Sequence, residues 1–135
     1  MKTRVVFDTN ILVSAIAFGG NPKVCLELAH QKQISAFTSK MILLELVRTL
    51  HKKFQWPEDE IQNAVHNITT AATVVIPQMK INVITQDPAD NIILEAALES
   101  RADYIISGDK KHLLPLKTFQ HIPIVSATKF LSALD

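Results

Sequence analysis

Cysteine is almost missing from this chain. Cys25 stands alone among 135 residues, which excludes an intramolecular disulfide framework and any CxxC zinc or redox motif. Glycine is also scarce, at three residues. With a hydrophobic share of 47%, that scarcity excludes the low-complexity and disordered classes and points to a packed globule. Neither sign of charge dominates: the formal net charge of +1 leaves nucleic-acid binding open, because charge can be segregated onto one surface. No apolar stretch is long enough to span a bilayer. The first residues are basic, but Asp8 interrupts the apolar run far short of a signal-peptide core. A cytoplasmic protein without membrane association is therefore expected. Internal repeats, charge blocks and linker composition are absent as well, so residues 1–135 read as one domain.

What is present is an alternation of short apolar runs with helical stripes. Val5–Phe7 reads as a buried strand. Ile11–Phe18 reads as a short helix stopped by Gly19-Gly20, and Pro22 starts a second helix running to about His30. Ile34–Thr38 alternates as a strand does. Ser39 is a good N-cap for a helix carrying Leu43, Leu46, Val47, Leu50 and Phe54 on one stripe. Trp56-Pro57 breaks it, with Pro57 as the first residue of the next helix, through Ile61, Ala64, Val65 and Ile68. Thr73–Ile76 is a β-branched strand. A helix from Asp87-Pro88 to about Ser100 follows, then a strand over Tyr104–Ser107 and a helical or turn segment over Lys110–Leu114. Ile122–Val125 is a last strand, and Ser126 caps a terminal helix. Such alternation predicts an α/β domain with a largely parallel sheet.

Four acidic residues fall where strands end or helices begin. Asp8 closes Arg4-Val5-Val6-Phe7, and Asp109 closes Tyr104-Ile105-Ile106-Ser107-Gly108. Glu45 lies at the border of its helix's apolar stripe. Asp90 belongs to Asp87-Pro88-Ala89-Asp90. Each has an ordinary alternative. Asp8 suits a helix N-cap, and Glu45 suits an exposed pair with Arg48 at i+3. Asp90 sits near N3 behind Asp87 as cap, and Ser-Gly-Asp is common turn chemistry. In an open parallel sheet, however, sites form beyond the carboxyl ends of the strands. Carboxylates gathered there repel unless a cation joins them, and hard oxygen ligands suit Mg²⁺ or Mn²⁺. Thr9 and Asn10 beside Asp8, and Ser107 beside Asp109, are candidates to support these ligands through hydrogen bonds.

The ordered set of motifs resembles the PIN-domain family, of the VapC-like kind that serves as the toxin of prokaryotic toxin–antitoxin pairs. Asp8-Thr9-Asn10 is similar to the family's opening signature and Glu45 to its second acidic position. Asp90, with Ile93 and Ala96-Ala97, is similar to the third. Tyr104-Ile105-Ile106-Ser107-Gly108-Asp109 is similar to the fourth. The resemblance covers essentially the whole chain. It implies an α/β/α sandwich and a Mg²⁺- or Mn²⁺-dependent endoribonuclease. Asp8, Asp90 and Asp109 would be its principal ligands, and Glu45 would ligate the metal or orient the attacking water. Asn91 stands where many relatives carry a further acidic residue, which bears on a second metal.

For substrate, the lysines are the candidates: Lys40, Lys110 and Lys111 first, from a set that also holds Lys52 and Lys53. Their contacts would go to phosphates, giving salt-dependent and weakly sequence-specific RNA binding. Trp56 fits a core or interface plug better than a stacking platform. The apolar faces of the two middle helices suit an antitoxin helix or a homodimer. Two enzymatic rivals lose on residues. A receiver domain needs an acidic pair after its first strand, and a haloacid-dehalogenase-like phosphatase needs Asp-x-Asp there, which Asn10 breaks. A non-enzymatic alternative is a catalytically silent PIN-fold module binding RNA or protein.

Overall fold

The computed structural model describes residues 2–81, 88–110 and 113–134. Its strands are β1 (Arg4–Phe7), β2 (Ser35–Ser39), β3 (Ala72–Val75), β4 (Tyr104–Ile106), β5 (Thr118–Phe119) and β6 (Ile122–Val125). Its helices are α1 (Thr9–Ala17), α2 (Gly20–His30), α3 (Lys40–Lys52), α4 (Glu58–Ala71), α5 (Pro88–Ser100), α6 (Leu113–Leu116) and α7 (Ala127–Ala133).

The strands form one sheet in the order β3-β2-β1-β4-β6-β5. The pairs β2–β3, β1–β2, β1–β4 and β4–β6 are parallel, and only β5 runs antiparallel, against β6. Val5, Val6 and Phe7 are consecutive and all buried. Successive strand residues face opposite ways, so both faces of the central strand are covered. α5 lies across β1, β2, β3 and β4, while α1 and α2 pack together and α2 meets α4 and α7. This is the α/β/α arrangement with a mostly parallel sheet that the alternation predicts.

Differences from the sequence reading are local and have physical causes. α2 begins at Gly20, two residues before Pro22, which therefore sits in the first turn, where its missing N–H leaves no bond unmade. Gly19, at φ 87° in a region L side chains rarely adopt, makes the break from α1. Pro57 is the N-cap of α4 and not its first residue: its ψ of 156° is extended, and Glu58, Asp59 and Glu60 fill the first turn at the positive end of the helix dipole. β5 was not foreseen, because two residues carry no periodicity. Ser39 and Ser126 do cap α3 and α7, their hydroxyls accepting from the Ile42 and Lys129 N–H groups at 3.3 and 3.1 Å.

The topology fixes where a site can form. From β1 the chain proceeds outward to β2 and β3, then returns to the other side of β1 with β4. The crevice between the carboxyl ends of β1 and β4 is thus the switch point of the sheet. Asp8 follows β1 there, and Ser107-Gly108-Asp109 follow β4.

Candidate active site

The two strand ends are stitched together. The Asp8 N–H donates to the Ile106 carbonyl at 2.9 Å, continuing the ladder one residue past β1. The Asp8 carboxylate is 2% exposed, and both of its oxygens are engaged. Oδ1 accepts from the Ile11 N–H at 2.7 Å, so Asp8 is the N-cap of α1. Oδ2 accepts a short hydrogen bond from the Ser107 hydroxyl and one at 3.2 Å from the Gly108 N–H. Ser107 Oγ in turn accepts from the Asp109 N–H at 2.9 Å. One hydroxyl therefore holds the carboxylate at the end of β1 and the backbone at the end of β4.

Burial pushes the Asp8 carboxyl up from an ordinary 3.8 to about 6. The hydrogen bonds from Ser107, Ile11 and Gly108 oppose that rise, while the nearby charge of Asp109 adds to it. A carboxylate so disfavoured as an anion is a place where a cation would be welcome.

A cavity opens beside this stitch. It is lined by Asp8, Thr9 and Asn10, by Glu45, Thr49 and Lys53 of α3 and its C-cap, and by Asp90 in the first turn of α5. Three of the four acidic candidates thus meet in one cavity from three separate elements. The fourth, Asp109, is half-buried and close enough to Asp8 to act on its charge. Glu45 keeps an ion pair with the exposed Arg48 at 3.1 Å, the ordinary i+3 contact. Ser107 supports Asp8 directly. Asn91 is buried and lines a different groove, with Ser39, Met41, Met79 and Glu95. Lys40 and Lys110 are exposed, and neither lines the acidic cavity. Lys111 lies outside the described residues, as does Asp87.

Sequence reasoning missed Thr49 and ranked Lys53 too low. Both follow from spacing: Glu45, Thr49 and Lys53 stand at i, i+4 and i+8, one face of one helix. Lys40, Lys52, Lys53, Lys110 and Lys111 are alike in sequence as candidate cations; the helix repeat is what carries Lys53 to the cavity.

The lining is chemically suited to a hard divalent ion. Among the described residues it offers three carboxylates, two hydroxyls and an amide, with no histidine or cysteine. Among the described residues, however, no three His, Cys, Asp or Glu side chains converge closely enough to clasp an ion. Glu45, turned to Arg48, is the ligand candidate with the most room to change.

Fold and cavity define an α/β/α domain with an acidic site at the switch point of its sheet. A sequence model of the PIN domain matches residues 4–111, and the chain belongs to that family. PIN domains are generally nucleases, and those nucleases generally use divalent metals. No curated protein matches the chain. Among solved structures it is similar to VapBC2 from Rickettsia felis, crystallised bound to a DNA fragment from their promoter. The likeness covers 90% of this chain and 97% of that one, at 15% identity and a TM-score of 0.65, and is one of fold.

Proposed function

We propose that the protein is a Mg²⁺- or Mn²⁺-dependent endoribonuclease acting as the toxin of a toxin–antitoxin pair. The observation that carries this is the meeting of Asp8, Glu45 and Asp90 from three elements in one cavity, with Asp109 beside it. A phosphodiester resists attack because it is anionic and its leaving alkoxide is poor. A divalent ion in the cavity would offset that charge and stabilise the departing oxygen. Asp8, Asp90 and Asp109 would hold the ion. Glu45, about a quarter exposed, would orient the attacking water and take its proton, leaving a 5′-phosphate and a 3′-hydroxyl after in-line displacement. Ser107 and the α1 backbone fix Asp8 so that its charge stays aimed at the cavity.

The antitoxin partner is supported by the VapBC2 likeness, that neighbour being a toxin–antitoxin complex. Exposed Met41 and Met79 share a groove with Ile81 and Ile92, a surface that suits an antitoxin segment or a second copy of the chain. A second reading, the catalytically silent RNA- or protein-binding module, is favoured by the Glu45–Arg48 pair and by the lack of a closed ligand cluster among the described residues.

Cleavage of a mixed-sequence single-stranded RNA with Mn²⁺, Mg²⁺ or EDTA separates the two, run beside Asp8→Asn and Asp109→Asn. The nuclease reading expects metal-dependent cutting that both substitutions abolish. Equal trace cutting by all three proteins, or metal binding with no cutting of any RNA, sinks it.

A further inference from the structure

Two aromatics meet close to the Lys53 side of the acidic cavity without lining it; Phe18 lines a neighbouring cavity with Lys23, Leu26 and His30. α1 starts at the cavity with Thr9 and Asn10 and terminates in Phe18; α3 passes it with Glu45, Thr49 and Lys53 and is followed by Phe54. The two helices pack together. Phe18 and Phe54 meet edge to face there, with ring centroids 5.8 Å apart. Phe54 is half-buried against the core, but Phe18 is 73% exposed. A large aromatic left that open, held by a neighbouring ring and not by burial, is a stacking surface without an intramolecular occupant.

Lys53 joins the two features. Among the described residues it is the one cation lining the cavity, and it forms no ion pair with Asp8, Glu45 or any other of them. Its ammonium remains available for an incoming anion. The Thr49 hydroxyl donates back to the Glu45 carbonyl at 2.9 Å, one turn before Lys53. Eight helical residues rise about 12 Å, comparable to three or four stacked nucleotides at about 3.4 Å each.

We propose that Lys53 and the Phe18–Phe54 pair form a single-stranded RNA subsite flanking the cleavage point, Lys53 taking a phosphate and Phe18 stacking an unpaired base. This rests on the nuclease reading for the polymer that enters the cavity. Alternating cation and exposed aromatic is the chemistry of single-strand binding: the phosphate contact is salt-sensitive and the stacking tolerant of sequence. A paired base has no free face to offer, so the subsite selects against duplex.

The test uses a fluorescent single-stranded RNA and the full-length protein carrying Asp8→Asn, with Mg²⁺ present, so that binding is read without cutting. Adding Phe18→Ala should weaken binding roughly tenfold and leave the salt slope unchanged. Adding Lys53→Gln should weaken it and flatten the slope of log affinity against log salt by about 0.7. Phe18→Trp and Lys53→Arg should restore binding, and Lys129→Gln, on exposed α7 surface, should change neither quantity. A 2-aminopurine placed beside the scissile position should lose fluorescence on binding, except with Phe18→Ala. Unchanged affinity and slope in both Phe18→Ala and Lys53→Gln overturn the proposal, as does duplex RNA binding equally well. Loss of a protein partner by Phe18→Ala with RNA binding intact overturns it in favour of a protein-docking surface. The nuclease reading is judged separately, by whether Asp8→Asn alone abolishes cutting.

Discussion

The two walls of the acidic cavity are built differently. On the sheet side, Asp8 is buried, and its carboxylate takes three hydrogen bonds from Ile11, Ser107 and Gly108. On the helix side, Glu45 is about a quarter exposed and pairs with Arg48, itself mostly in solvent. The first wall holds its geometry through the fold, whereas the second can rearrange at little energetic expense. A site of this kind divides its work: strand ends set position, and a helix supplies the group that moves.

Substitution should expose that division. Asp8→Asn and Glu45→Gln are each expected to lower RNA cleavage by about a hundredfold or more, the scale of removing one aimed electrostatic group. Their stabilities should diverge. Burial makes the Asp8 anion unfavourable in the fold, so the stability that Asp8 contributes to the metal-free protein should be fully present below about pH 4. It should fall as pH rises towards about 6, then level off. The loss should approach 3 kcal/mol, since two pKa units correspond to about 2.7 kcal/mol. Melting curves across pH should show this decline in the wild type and in Glu45→Gln but not in Asp8→Asn. A flat wild-type profile would remove the claim that the sheet wall is electrostatically poised.

Divalent metal should reverse the penalty. Mg²⁺ or Mn²⁺ at about a hundred times its dissociation constant should stabilise the wild type by about 2.7 kcal/mol, and Asp8→Asn by much less. An equal melting shift in both proteins would place the ion elsewhere. Ser107→Ala should cost roughly 1–3 kcal/mol, because Asp8 Oδ2 loses its hydroxyl donor and the Asp109 N–H its acceptor. It should also move the midpoint of the pH decline upward, since the Ser107 hydrogen bond holds the Asp8 carboxyl down. Smallest of all should be Arg48→Ala: under about 1 kcal/mol of stability, as for exposed ion pairs, with cleavage unchanged or raised as Glu45 is released. A large fall in cleavage would mean that the helix wall is as fixed as the sheet wall.

Most of the fold was legible because buried parallel strands leave unbroken apolar runs and helices leave stripes, as at Val5–Phe7 and along α3. Short or edge features left no such trace, which is why β5 escaped and Pro57 was placed one position too far into its helix. The positions of Asp8 and Asp109 followed from strand ends at a switch point. What a linear reading did not order was the helix wall. The i+4 repeat that brings Lys53 into the cavity was present in the letters, but as candidate cations Lys53, Lys110 and Lys111 look alike there. Asn91 adjoins Asp90 in the chain, yet a helical step of about 100° turns neighbours apart, and Asn91 lines another groove.

The sheet's two margins have opposite fates. β5 folds back antiparallel on β6 and finishes that margin, whereas β3 (Ala72–Val75) is paired, among the described residues, to β2 alone. An open margin is a template on which further chains could assemble into aggregates. Here it is only four residues long, and Pro77 follows two residues later without an amide to donate. Val74 and Ile76 leave apolar side chains exposed along that margin, but a growing stack of shared strands finds almost no foothold.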